Sequence, residues 1–382
     1  MTSIARSSVV SLTVLLGGWL AWSSVGSAGT PAPPAPARAP VGAVVPRVAV
    51  VVTPPGSGTS SLYFASAAGS AGSARSPSRA LATVRHLRDG SVRAALLPHG
   101  STVLVSAPVT PGRDPSFDGG LFALRPDAGA QPLCAGLVHA SSPAVTDDGR
   151  VLVSRGEAGP VSPESSTMRV DALSVDEVDL GTGALRPVHA YSGYLAYLAG
   201  TFHDEVLLYR VGPGVADVVG VQLDSGTVRS VVPTLVPFAR DFSVDAERGV
   251  LVYRNRHETD AHRWVVDEVD LASGRARRLF AGASFALAPH AWPGGGVALN
   301  PEGRGLTLLE SRDPVAAPRG AGIDHVRAVD EGGRWVALLH TVPDALGVPV
   351  VLDRTTGEAW GLDVPTGADV AIAGFVAPEV TP

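Results

Sequence analysis

Apolar and polar residues alternate one by one along much of this chain. In residues 176–180, Val178 and Leu180 fall on one side while Glu177 and Asp179 fall on the other. In residues 219–224, Val219, Val221 and Leu223 alternate with Gly220, Gln222 and Asp224. A period of two is the mark of a strand with one buried and one wetter face. These runs are copies of one another. Residues 174–188 (SVDEVDLGTGALRPV) return 91 residues later as 265–279 (VVDEVDLASGRARRL), and 219–231 (VGVQLDSGTVRSV) lie between them. Each copy passes through a turn ending in glycine, and Gly183, Gly226 and Gly274 stand 43 and then 48 residues apart. Glycine readily takes the positive φ of tight hairpin turns, so each copy predicts a β-hairpin. One hairpin alone is marginal in water, and a period of this length marks stacked or radially arranged units.

Extending the pattern gives six four-strand units between about Arg93 and Pro365. A Gly-bearing junction precedes an apolar strand at residues 98–101, 147–150, 247–249, 294–296 and 331–334, and His203-Asp204 takes its place in the third unit. The fifth unit is the weakest, since residues 300–304 compete for its junction. Two pieces remain. Residues 369–378 (DVAIAGFVAP) read as a single apolar strand, and 47–88 offer three strands without a first. The last of those, 79–88, also reads as a short amphipathic helix. Joined, the pieces make a seventh unit, and a ring closed through both ends removes exposed strand edges.

Residues 142–155 (SPAVTDDGRVLVSR), followed by the Asp-Leu-x-x-Gly of residues 179–183, resemble the repeat of TolB-like, WD-type β-propellers of bacterial envelopes. The Trp-Asp dipeptide of eukaryotic repeats and the Ser-x-Asp-x-Gly-x-Thr-Trp box of sialidases are absent. The expected fold is all-β: a propeller of seven four-stranded blades, with six or eight as alternatives, closed by N- and C-terminal strands sharing one blade. The resemblance also implies that each connection from a fourth strand leads to the innermost strand of the next blade. These connections carry His139, His189, Tyr191, Arg240, Asp241, Phe285, Asp324 and His325. By resemblance these side chains surround one mouth of the central channel, where converging aromatic, His and Arg groups suit a ligand or peptide. The expected function is a non-catalytic binding scaffold for a protein or envelope polymer. The alternative is a carbohydrate-active enzyme using Asp241 and Asp324 across the channel, at the roughly 5–9 Å separation of glycosidase carboxylates.

Composition narrows the chemistry. All 30 basic residues are arginine, which excludes Schiff-base, P-loop and Ser–Lys chemistry. The net charge of −6 speaks against nucleic acid as a partner. Gly-x-Ser-x-Gly does not occur, so no nucleophile elbow is present. His257 and His262 stand five apart where a zinc helix needs four, so their segment reads as a polar loop. No motif asks for a metal or cofactor. The single cysteine, Cys134, reads as an inert strand residue. Glu177, Asp179, Glu268 and Asp270 read as a solvated strand face, whereas Asp176 and Asp267 fall on the valine face, placed to satisfy backbone donors at a blade edge.

Residues 1–28 read as a signal peptide: Arg6, an apolar run over 9–22, and a Gly-Ser-Ala site cut after Ala28. That run is short of the roughly 20 residues a bilayer span needs, with an uncleaved anchor as the runner-up. Residues 29–46 form a Pro/Ala-rich linker and 47–382 the propeller domain. The mature chain is expected in the periplasm or secreted, monomeric and without stable membrane insertion.

Overall fold

The hairpin turn recurs with one geometry. Gly183 has φ 72°, donates its N–H to the Asp179 carbonyl at 2.7 Å, and Asp179 N–H donates to Ala184 at 2.9 Å. Asp179 Oδ1 accepts from the N–H of Gly181 and Thr182 and from the Thr182 hydroxyl. The same bonding repeats at Gln222–Gly226, Asp270–Gly274 and Asp353–Gly357. Asp179 and Asp270 are exposed, as the alternation requires, and act as caps of their turns.

A computed structural model describes residues 45–67, 80–88, 92–98, 100–109, 119–137, 142–158, 170–193, 195–212, 215–284, 287–292, 294–301, 305–310, 315, 322–342, 345–365 and 367–377. The expected signal peptide, most of the expected linker, His139 and Phe285 lie outside them. Every regular element among the described residues is a strand. The chain opens with β1 (Val48–Thr53), β2 (Thr59–Ala65) and β3 (Ala82–Arg85), so the helical reading of 79–88 falls. Next come β4 (Arg93–Leu96), β5 (Val103–Pro108), β6 (Gly119–Arg125) and β7 (Gly129–Leu137). They are followed by β8 (Ala144–Val145), β9 (Val151–Ala158), β10 (Val170–Val178) and β11 (Leu185–Tyr191). The central groups are β12 (Leu195–Phe202), β13 (Glu205–Gly212), β14 (Val215–Gln222) and β15 (Val228–Leu235), then β16 (Arg240–Asp245), β17 (Val250–Arg256), β18 (Trp264–Asp270) and β19 (Ala276–Gly282). A group of three, β20 (His290–Ala291), β21 (Val297–Leu299) and β22 (Thr307–Leu308), precedes β23 (Ile323–Val329), β24 (Trp335–Thr341), β25 (Val348–Asp353), β26 (Ala359–Gly361) and β27 (Asp369–Phe375).

These pair as antiparallel sheets in chain order. The exception is the expected one: β27 joins β1, giving the order β27-β1-β2-β3. Groups β4–β7 and β8–β11 form one eight-stranded sheet, joined through the pair Leu137 and Arg155. The fifth unit keeps three strands among the described residues, in line with its weak pattern.

Second strands depart from the one-face pattern. Val48, Val50 and Val52 of β1 pack with Trp335, Val351 and Trp360 of the preceding sheet, whereas Ala49 and Val51 pack with Val103 and Val105 of the next. A strand covered on both sides reads as a continuous apolar run, here VAVVV. At the turn end of the ring, arginines reach from one sheet to its neighbour. Arg186 donates to the Leu223 carbonyl at 3.1 Å, and Arg229 donates to the Leu271 carbonyl at 2.7 Å while also holding Glu205.

The acidic residues need correcting. Glu268 is buried between Arg248 and Arg277, and Glu177 is held by Arg150 and Arg186, so neither lies on a bare solvated face. Asp176 and Asp267 are buried as the pattern required, but their partners are Arg155 at 3.0 Å and Arg278 at 2.9 Å instead of backbone donors. A buried carboxylate gains more from a guanidinium than from a neutral N–H. Cys134 lies on β7, half-buried, and burial pushes its thiol up to about 11, which keeps it unreactive.

Candidate functional site

Most first strands border the first strand of the next group. β27 lies beside β4 and β23, β4 beside β8, β8 beside β12, β12 beside β16, and β16 beside β20. Each is an edge strand of its sheet, and together they wall the central channel. Several carry a bulge, where an extra residue leaves the ladder and its side chain is re-aimed. On β16 the register slips between Arg240 and Ser243, and Asp241 takes φ 53°. On β23 it slips between Val326 and Ala328, leaving Arg327 out of the ladder and exposed.

Four of the expected residues come together here. Arg240 and Asp241 open β16, and Asp324 and His325 follow Ile323 at the start of β23, so they belong to the innermost strands themselves and not to the connections. Asp241 pairs with Arg254 of β17 at 2.6 Å. Arg254 is buried, and it lies 5.3 Å from the Trp264 ring. Asp324 is 3 % exposed, and its Oδ1 lies 2.9 Å from His340 Nδ1, the residue directly opposite on β24. The Asn300 side chain binds the backbone of Asp324 at both N–H and carbonyl. His325 lies within electrostatic reach of Arg327, Asp241, Arg254 and Asp324.

The alternation missed four members of this group: Arg93 on β4, Tyr197 on β12, Arg254 and Arg327. Arg327 stands two residues beyond His325, and Arg254 is the cross-strand partner of Arg240, so periodicity within the predicted strands could have found both. His189 and Tyr191 go elsewhere. They end β11 and meet the next sheet, where Arg210 lies 5.0 Å over the Tyr191 ring and 3.4 Å from His189 Nε2. Arg210 is itself held by Asp217 through two bonds of 3.0 and 2.6 Å, which makes this a joint between sheets. The His257–His262 segment links β17 and β18 as a loop, and among the described residues no group of His, Cys, Asp and Glu has a metal-holding arrangement.

The channel group carries excess positive charge. Burial and then Arg327 push His325 down to about 4, so its imidazole is neutral at pH 7. Although Arg327 meets solvent, the protein packed around it holds its guanidinium below its ordinary range, with Arg93 adding repulsion and Asp241 opposing it. For Arg254 burial also lowers the pKa, with Asp241 opposing and Arg240 adding repulsion. The Tyr197 hydroxyl, raised by burial, feels both Arg240 and Arg93.

One consequence is a pH-dependent stability. The unfolded chain protonates His325 near 6.5, while the folded chain refuses that proton until about 4. Below 6.5 the unfolded state therefore binds more protons, and stability falls as pH drops from about 6.5 toward 4. Burial lowers His189 and His290 as well, in the same direction. Urea titrations at pH 7.5, 5.5 and 4.5 should show this decline, and His325→Gln should make it shallower while the share of His189 and His290 remains.

Solved structures share this architecture. A prolyl endopeptidase structure matches over 85 % of this chain and 50 % of its own, at 15 % identity and a TM-score of 0.50. TolB from Acinetobacter baumannii matches over 86 % of this chain and 67 % of its own, at 11 % identity and a TM-score of 0.47. The β-propeller domain of the Trilobed protease from Pyrococcus furiosus matches over 71 % and 82 %, at 11 % identity and a TM-score of 0.46. The chain is a β-propeller. It spans half the length of the prolyl endopeptidase it matches, and at this identity the likeness concerns the fold alone. No family model and no curated protein matches the chain. Among the described residues no helix is long and apolar enough to cross a membrane.

Proposed function

We propose that this propeller is an exported, seven-bladed binding scaffold that receives a protein or envelope polymer at the channel mouth around Arg240, Asp241 and His325. The eight-stranded sheet counts as two blades in this reading. The carrying observation is the wall of the channel. Charged side chains from several innermost strands gather there, and Arg327 meets solvent while protein surrounds it. Both carboxylates of the enzymatic alternative are already engaged, Asp241 by Arg254 and Asp324 by His340. Neither is poised as a free acid or base, which favours binding over glycoside chemistry.

The test is capture of an envelope partner by the full chain with and without Arg240→Gln and His325→Gln. Partner recovery should fall for both substitutions and stay unchanged for Tyr191→Phe, since Tyr191 belongs to the joint with Arg210. Equal recovery by all variants would remove the channel assignment. N-terminal sequencing of the exported chain should begin at Gly29.

A further inference from the structure

The channel wall also limits what the partner can be, on the reading just given. Arg93, Arg240 and Arg327 stand on three different innermost strands, and among the described residues their side chains make no hydrogen bond or ion pair. With Arg254 they set four guanidiniums against the carboxylates of Asp241 and Asp324; the exposed Asp369 opens another innermost strand, β27. We propose that the channel mouth is a site for an acidic peptide segment, whose carboxylates are received by Arg93, Arg240 and Arg327.

Three features argue for this class. A guanidinium offers a planar fork of donors matched to carboxylates. The three arginines are spread over separate strands, which suits several carboxylates along a chain better than one compact anion. The innermost strands are sheet edges, so each turns one row of backbone N–H and C=O groups toward the channel. An extended peptide can use that row as a partner strand would. Tyr197 and the neutral His325 add hydrogen-bonding groups without adding charge. Mutual repulsion among the arginines is the strain an acidic ligand relieves.

The experiment is fluorescence anisotropy of labelled hexaglutamate and hexaglutamine peptides with the full chain at low salt. Hexaglutamate should bind and hexaglutamine should not, and raising salt to roughly 0.5 M should abolish binding. Arg93→Gln, Arg240→Gln and Arg327→Gln should each weaken binding about tenfold, whereas Arg125→Gln, whose side chain bonds Gln131 on the exposed part of its hairpin, should not. Thermal unfolding of the three channel variants should match or exceed that of the parent, which shows that they fold. Absence of hexaglutamate binding, or binding indifferent to all three substitutions, overturns the proposal. So does tighter binding of oligogalacturonate or inorganic phosphate than of hexaglutamate. A captured partner whose recovery needs Arg240 but resists hexaglutamate competition would leave the scaffold standing and remove the acidic-peptide assignment alone.

Discussion

Replacing Gly183 with alanine should cost the fold about 3 kcal/mol, the sum of two separable effects. Gly183 sits at φ 72°, where an L side chain costs about 1–2 kcal/mol. An added Cβ would also overlap the carbonyl oxygen of Leu133 and lie 3.0 Å from its carbon. Leu133 belongs to β7 of the neighbouring group, so the clash is with backbone across the joint, and such overpacking typically costs about 1–3 kcal/mol. Gly129 ends the equivalent turn of its own group with φ 78°, but nothing lies within 4 Å of where an alanine there would carry its Cβ. Gly129→Ala should therefore lose only the backbone share, about 1 kcal/mol, with Gly274→Ala between the two because its Cβ would stand 3.3 Å from the Val231 carbonyl. Urea unfolding of the three variants measures the order. Equal losses at Gly183 and Gly129 would mean that this turn does not bear on its neighbour.

The same glycines show why so much of the fold was legible. Asp-Leu-x-x-Gly is a local code, because the turn needs a positive φ at its last position and an acceptor at its first, and both needs are met within five residues. Ring closure was legible for another reason. Residues 369–378 had first-strand character with no strands to follow, and 47–88 had three strands with none before. The burial of β1 on both faces was harder to see, since a continuous valine run does not say which residues face which neighbour.

The site was legible only in part. His325, Asp324, Arg240 and Asp241 could be found because each begins a strand after a connection. His189 and Tyr191 shared that sequence position, yet they end an outer strand, where Arg210 and Asp217 of the next sheet engage them. Arg93 and Arg327 escaped because an arginine within an apolar strand reads like any polar face. Only the ring, which sets Arg93, on β4, near Arg327, on β23, turns separate residues into one positive surface. The acidic pairs were obscure for a related reason. Alternation gives the face of Glu268 but not the arrival of Arg248 and Arg277 upon it.

Removing residues 369–382 should abolish the native ring. β27 pairs with β1 from Val48 with Phe375 to Thr53 with Asp369, and Val370, Ile372 and Val376 are each at most 7 % exposed. Uncovering these side chains, with the packing of Val370 and Ile372 on Val48, Val50, Val52 and Trp335 and of Val376 on Ala49 and Val51, forfeits roughly 5–8 kcal/mol, at about 1.5–3 kcal/mol for each large apolar side chain. That is comparable with the whole stability of a typical domain, about 5–15 kcal/mol. The loss also leaves β1 as a bare apolar edge, a template for pairing with other chains. The truncated protein should elute as aggregate, without near-ultraviolet circular dichroism. A synthetic peptide of residues 367–377, added during refolding, should restore a monomeric, cooperatively unfolding species, because it supplies the missing strand and nothing else. A truncated chain that unfolds cooperatively within about 1 kcal/mol of the intact one would show that β1 needs no partner from the C-terminus, and the ring would then be held by its joints alone.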